Sequence, residues 1–387
     1  MDLGRKIKIA FIKYIGLCLG GTEKFLQTIA AGLPKDEFEV DYYYAHPKEN
    51  PPDKGRKQYL IQNGVNLIEF NTSKPRVHRG KIWLDETNFF DVFKNDYDLI
   101  QTGRCGLYEE PFCDIKNIPI VDSLHYIVGV DNQYNISRAL HISEFSRDKW
   151  LDIGGDKDRV VMVSHPMIIP ETPFRDFRAE MGLQNKFIYG FHQRNDNAIF
   201  SDIPLKAFKE ISNVNNAFVI LGAGDNYKKQ AEELGLNNVY FLDHTGNFEI
   251  IYNFIKMLDV YAHGRKDGEL NSTAIAEALH FGKPVVSHIS DSFNGHVECI
   301  GNAGFVVKNY LEYAEKLKEI EENKEFYADL SNKALIRFDE MYNYENQMQK
   351  IINIYKDVVK NPYPNKLKRL YLHIKQLFPL RRHRRHK

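Results

Sequence analysis

Short runs of β-branched and aromatic residues alternate along this chain with stretches whose apolar side chains recur every three or four positions. The runs predict strands at Ile7–Tyr14, Glu39–Tyr44, Leu67–Phe70, Leu99–Thr102, Ile118–Asp122, Val160–Ser164, Phe187–Phe191, Ala217–Leu221, Val239–Leu242, Val260–Ala262 and Pro284–Ser287. The three-to-four spacing predicts helices such as Glu23–Ala31, Ser146–Ile153, Ile203–Ser212, Tyr227–Leu234 and Ile250–Met257. Strand and helix in alternation mean parallel sheets covered by helices on both faces. The series breaks at HPMIIPETPF, His165–Phe174, where three prolines in ten residues read as a linker, and a second strand-helix series follows. The expected architecture is α/β, two doubly wound domains. Such sheets bind ligands beyond the carboxyl ends of their strands, which places the expected site in a cleft between the domains.

A chain of 387 residues, 43% hydrophobic and 27% charged, has a globular composition, which excludes disorder as the default. Cys18, Cys105, Cys113 and Cys299 are scattered, with no C-x-x-C pair. Neither a disulfide framework nor a structural metal is indicated, and a reducing, cytoplasmic compartment is expected. Basic residues precede an apolar run at the N-terminus as in a secretory signal, but Lys13 interrupts that run and no A-x-A cleavage site follows. No apolar stretch approaches the roughly 18 residues of a membrane span.

Equal numbers of acidic and basic residues, 52 each, conceal a segregation. Tyr363–Lys387 holds nine Lys or Arg and no acid, leaving 43 basic against 52 acidic residues in the body. Within that tail Leu367, Leu370, Tyr371, Ile374, Leu377 and Phe378 form one apolar stripe on a cationic helix. This pattern suits the surface of an anionic membrane, and equally a solvated basic tail or a helix packed on the protein itself. Nucleic acid is a poor fit, because the excess of positive charge is confined to one terminus of an acidic body.

The stretch GELNSTAIAEALHFGKPVV, Gly268–Val286, concentrates the candidate chemistry. Asn271 or Ser272 is the expected N-cap of a helix that ends at Gly282, with Pro284 beyond. Glu269 then precedes the helix and Glu277 lies within it. The first free N–H groups, around Asn271–Ala274, form an anion site, with the Ser272 and Thr273 hydroxyls beside them. Two carboxylates flanking a bound diphosphate would accept hydrogen bonds from a sugar on one side and a ribose on the other. From spacing alone, an ordinary capped helix with two solvated acids fits as well.

Glu269 and Glu277 form E-x7-E, and with EALHFGKPVV running on they resemble the signature of the family 4 (group 1) glycosyltransferases, retaining enzymes of the GT-B fold. GGTEKFLQTIAAGL, HISEFSRDKWLDIGG, LGAGDNYKKQAEELGL, VYFLDHTGNFEIIYNFIKMLDVYAHG, GHVECIGNAGFVV and YNYENQMQKIINIYKDVV fall in the family's order. The resemblance implies an acceptor-side domain at 1–168, a nucleotide-sugar domain at 169–342, a closing helix at 343–362 that crosses back to the first domain, and the basic tail at 363–387. It implies transfer of a sugar from a UDP- or GDP-linked donor to a glycan or lipid-linked hydroxyl, with retention, in surface polysaccharide or glycan synthesis at the inner face of a membrane.

The roles carried over are sugar hydroxyls for Glu269, the ribose for Glu277, and the donor's phosphates and sugar for Asn271, Ser272 and Thr273. Gly20 and Gly21 would bring the first glycine loop close to the diphosphate, and His125 would line the reacting centre. Read without the family, His125 is an ordinary core or loop histidine. The family's arginine after the first strand of the second domain is present as Arg194, but Ile199 stands near its lysine. Lys206, Arg265 and Lys266 are the cations at hand to replace that lysine. No metal or other cofactor is expected; the D-x-D at Asp156–Asp158 reads as a solvated turn. A non-catalytic nucleotide-sugar-binding protein or a nucleotide-sugar epimerase of the same fold are the alternatives.

Overall fold

The structure, a computed structural model, describes residues 4–363 except 16, 19, 46–52, 73–75, 79, 80, 85, 105, 107 and 132, together with Leu367, Leu370, Tyr371 and Ile374. The chain divides into two compact units, one formed by residues 1–166 with 345–387 and the other by residues 167–344.

The first unit is built on seven strands: β1 (Ile7–Lys13), β2 (Phe38–Ala45), β3 (Asn66–Phe70), β4 (Leu99–Arg104), β5 (Ile120–Leu124), β6 (Ile136–His141) and β7 (Val160–Met162). They lie in the order β7-β6-β5-β4-β1-β2-β3, all parallel. In β1, Ile9, Ala10, Phe11 and Ile12 are all buried, as expected of a strand covered on both faces. The chain reverses direction across the sheet between β1 and β4, the position at which ligands of such sheets bind.

Sequence patterning left out β6, because ISRALH has neither a continuous apolar run nor strict apolar-polar alternation. All six are nevertheless buried. Arg138 bonds Asp357 at 2.6 Å and the Ser137 hydroxyl at 3.1 Å, so its charge is matched inside. The helix Tyr344–Lys360 buries Met348, Ile351, Ile352, Tyr355 and Val358 along one stripe, and the Tyr355 hydroxyl donates to Gln101 on β4 at 2.8 Å.

One further expectation is corrected here. Asp156 is no solvated loop residue: it is buried and caps the short 3-10 turn Lys157–Arg159, accepting from the Asp158 N–H at 3.1 Å and pairing with Arg159 at 3.4 Å. In the same unit a helix, Lys54–Gln62, capped by Asp53, starts within HPKENPPDKGRKQ, and an antiparallel pair, Arg76–His78 with Lys81–Trp83, lies within NTSKPRVHRGKIW.

The second unit has six parallel strands: β8 (Phe187–Gln193), β9 (Asn216–Gly222), β10 (Val239–Leu242), β11 (Val260–Ala262), β12 (Val285–His288) and β13 (Gly304–Val307). Their order is β10-β9-β8-β11-β12-β13, so the reversal falls between β8 and β11. Tyr313 fastens the carboxyl ends of two of them, donating from its hydroxyl within reach of the carbonyls of His263 (2.9 Å) and Val286 (2.7 Å). The strand expected at Pro284–Ser287 is shifted by one residue, since Pro284 has no N–H to give to the ladder.

Among the described residues no helix is long and apolar enough to cross a membrane. The basic tail expected at 363–387 falls mostly outside the described residues. Leu367, Leu370, Tyr371 and Ile374 are described there and are exposed.

Candidate active site

The second unit's site is assembled at the reversal point of its sheet. β8 ends in His192 and Gln193, β11 is followed directly by His263, and β12 ends in Ser287 and His288. The chain leaves His263 through Gly264–Asp267 and enters the two-residue strand Gly268–Glu269, paired with Phe293–Asn294. Gly268 has φ +71°, and a Cβ there would lie 1.7 Å from the Phe293 carbonyl oxygen, so this turn requires glycine. The turn presents Glu269.

Glu269 is met from three sides. His263 Nε2 lies 3.2 Å from its Oε2 and Arg265 Nη1 3.2 Å from its Oε1. Burial alone would raise its pKa, but the His263 hydrogen bond, the His263 and Arg265 charges and a hydrogen bond with Ser272 together outweigh burial and hold the carboxyl at about 2. His263 is itself oriented through Nδ1, 2.8 Å from the Ser287 hydroxyl. Glu269 is thus a fixed carboxylate at neutral pH, suited to accepting hydrogen bonds and unsuited to giving up a proton.

The helix Thr273–His280 starts at Ser272, whose Oγ accepts from the Ile275 N–H at 3.3 Å. Ser272 is fully buried and its hydroxyl is engaged within the unit, whereas Thr273 is exposed. Asn271 Oδ1 accepts from the Tyr342 hydroxyl at 3.3 Å. With Ile275 capped and Ala276 bonded to the Ser272 carbonyl, the N–H groups of Thr273 and Ala274 are the first-turn donors without an acceptor inside the helix. Gly282, at φ +64°, follows the last turn as the capping glycine that the sequence indicated. Glu277, one turn into the helix, lies with its Oε2 3.0 Å from His192 Nε2.

The cations divide sharply. Arg194 is exposed and pairs with Asp196 at 2.9 Å. Arg265 is committed to Asp267 through two bonds of 2.7 and 2.9 Å, besides Glu269. Lys206 pairs with Asp202. Lys266 is exposed and forms no ion pair among the described residues. Its backbone N–H donates to the carbonyl of Ile199 at 3.3 Å, so it sits directly beside the residue that stands near the family's lysine. Ile199 itself is buried.

In the first unit, Gly20 caps the helix Gly21–Gly32, and a Cβ on it would lie 2.2 Å from Glu23 Oε2, while Gly21 is unobstructed. His125 follows β5. Its ring packs edge-on against Phe25, centroids 4.7 Å apart, and 5.3 Å from the His165 ring. Its buried Nε2 has no hydrogen-bond partner among the described residues. Burial, with smaller contributions from His165 and Lys13, pushes its pKa well below the usual histidine range, so the ring is neutral. Among the described residues no group of three or more His, Cys, Asp or Glu is placed to hold a metal ion.

The residues that sequence reasoning missed are His192, His263 and Ser287, which orient the two glutamates. Their one legible signal is position: each ends or directly follows a strand at or beside the sheet's reversal.

Residues 185–337 match the family described as Glycosyl transferases group 1. Among curated proteins, none matches the sequence. Among solved structures the chain is similar to Anabaena HepE in complex with UDP and glucose, at 19% identity and a TM-score of 0.70, covering 91% of this chain and 100% of that one. It is similar to a glycosyltransferase from Rickettsia africae ESF-5, at 15% identity and a TM-score of 0.72, covering 92% and 99%. It is also similar to WaaG, a glycosyltransferase involved in lipopolysaccharide biosynthesis, at 13% identity and a TM-score of 0.59, covering 90% and 99%. The chain as a whole therefore has the GT-B fold, and its second unit carries the pattern of a group 1 glycosyltransferase domain.

Proposed function

We propose that this protein transfers a sugar from a UDP- or GDP-linked donor to a hydroxyl of a glycan or lipid-linked acceptor, with retention of anomeric configuration. The observation that carries the reading is the pair Glu269 and Glu277, each oriented by its own histidine, on either side of one helix start with donors to spare. HepE, of similar fold, was solved with UDP and glucose, which favours UDP among the donors.

In this reading the Thr273 and Ala274 N–H groups and the exposed Lys266 and Arg194 meet the diphosphate, and no metal is needed for its charge. Asn271 and Thr273 contribute polar groups at the same helix start. Glu269 accepts from hydroxyls of the transferred sugar, and Glu277 from the ribose. Gly20 and Gly21 belong to the donor site, and the neutral His125, with its unmatched Nε2, to the reacting centre. The bond from the anomeric carbon to the leaving phosphate oxygen breaks as the acceptor oxygen bonds that carbon from the same face, and the acceptor's proton passes to the leaving oxygen. A glutamate held as firmly ionised as Glu269 stabilises positive charge developing on the sugar.

WaaG, of similar fold, is involved in lipopolysaccharide biosynthesis. This supports a role in surface glycan synthesis at the cytoplasmic face of a membrane, with the tail as anchor. The exposed Leu367, Leu370, Tyr371 and Ile374 lie among its nine cations. On anionic vesicles the intact protein should bind, and a variant with Leu370, Ile374 and Phe378 changed to Ser should not; equal binding of the two removes the anchor.

The test of mechanism is the coupling of the product's anomeric proton by NMR. It should match that of the donor, and an inverted product would rule out retention. The buried Ile199 favours one second reading, a donor-binding protein that does not turn over. Tight donor binding without release under any acceptor would select it.

A further inference from the structure

His192 occupies the carboxyl end of β8, beside β11, and touches two groups at once. Its Nε2 lies 3.0 Å from Glu277 Oε2, and its Nδ1 lies 3.1 Å from the Tyr261 hydroxyl. The side chains of His192 and Glu277 are only 15% and 13% exposed. A carboxylate accepts hydrogen bonds and cannot give them, so the proton between His192 and Glu277 sits on Nε2. In a neutral imidazole that leaves a lone pair on Nδ1 facing the Tyr261 hydroxyl, whose O–H has two acceptors within reach, Nδ1 at 3.1 Å and the His192 carbonyl at 3.2 Å. Tyr261 is fully buried in the core, and its oxygen also accepts from the His192 backbone N–H at 3.4 Å. A phenol anchored in the core therefore sets the tautomer and ring plane of His192, and His192 holds one oxygen of Glu277. The other Glu277 oxygen has no hydrogen bond among the described residues.

We propose that His192 is a positioning residue that fixes Glu277 to accept from the ribose hydroxyls of the nucleotide, so that the chain selects ribonucleotides over 2′-deoxyribonucleotides. The inference rests on the nucleotide-sugar reading above. A free glutamate can turn to water when a hydroxyl is missing and lose little. A glutamate clamped by His192 keeps its acceptor pointing at the gap, and the unmatched buried group penalises the deoxy ligand.

The experiment is titration calorimetry of the full chain with UDP, GDP and ADP, each against its 2′-deoxy counterpart. The wild type should favour the ribo form of the nucleotide it binds. His192→Phe, which keeps the ring and removes both nitrogens, should cut that ribo-over-deoxy ratio by about tenfold, the size of one hydrogen bond to a charged group. Affinity for the deoxy form should stay nearly constant, a pattern that general damage to the site would not give. His192→Gln retains an N–H donor and should keep most of the ratio, whereas Tyr261→Phe should lower it. A ratio in His192→Phe equal to wild type overturns the inference; if that variant does not fold, an unchanged ratio in Tyr261→Phe overturns it instead. Failure of the wild type to bind any of these nucleotides removes the nucleotide reading itself and this inference with it.

Discussion

Replacing Glu269 by Gln keeps its volume and removes its charge, and the consequence for stability can be worked from its surroundings. The carboxyl is held at about 2 in the folded unit, against 4.5 for a free glutamate, by His263, Arg265 and Ser272 acting against burial. At about 1.4 kcal/mol per pK unit, that difference stabilises the fold by about 3 kcal/mol wherever the unfolded chain's glutamate is also ionised. Because the folded pKa is the lower one, the contribution is complete above about pH 5.5 and is lost as pH falls towards 2, with about 2 kcal/mol left at pH 3.5. Glu269→Gln should therefore be less stable than wild type by about 3 kcal/mol at pH 7, and the gap should narrow by roughly a third at pH 3.5. Both tryptophans, Trp83 and Trp150, lie in the first unit, so urea unfolding followed by tryptophan fluorescence reports that unit, and far-UV circular dichroism reports both. The loss should appear in the dichroism and not in the fluorescence. A gap that stays constant with pH would refute the assignment of its origin to the Glu269 charge.

Glu109 should behave in the opposite sense. Burial, opposed by Lys13 and Arg104 and reinforced by Asp122 and Asp131, raises its carboxyl to about 7, so the first unit loses stability as pH rises from about 4.5 through 7. Glu109→Gln should raise the urea midpoint, read by tryptophan fluorescence, at pH 8 and leave it unchanged at pH 4. Gly268→Ala forces a Cβ against the Phe293 carbonyl at a left-handed φ, which should destabilise the second unit by more than about 2 kcal/mol and misplace Glu269; a melting temperature equal to wild type would contradict this. Lys266→Ala should weaken nucleoside diphosphate binding about tenfold while leaving nucleoside binding unchanged, as one lost charge-assisted hydrogen bond to phosphate requires. Equal diphosphate affinities by calorimetry would take Lys266 out of the site.

What could be read in the sequence was whatever depends on neighbours along the chain. β1 announces itself by a continuous apolar run, and Ser272 and Gly282 bracket their helix by local capping rules. What could not be read depends on residues far apart. β6 looks too polar for a core strand until Arg138 meets Asp357, 219 residues later. The E-x7-E spacing supplies two carboxylates, but not that His263 and Arg265 hold one while His192 holds the other, since those partners converge only when β8, β11 and β12 lie side by side. Likewise Arg265 and Lys266 are adjacent cations in sequence, and only the fold commits the first to Asp267 and leaves the second exposed beside Ile199.

The central claim is that the two glutamates at the start of the helix Thr273–His280 form a nucleotide-sugar site that supports transfer. It is tested most directly by nucleoside diphosphate release from a panel of UDP-, GDP-, ADP- and dTDP-sugars, with wild type beside Glu269→Ala and Glu277→Ala. The account predicts release from one donor by the wild type, reduced at least a hundredfold in each variant, roughly 3 kcal/mol of lost transition-state stabilisation. Release that survives both substitutions unchanged would place the chemistry elsewhere in the molecule and contradict the account.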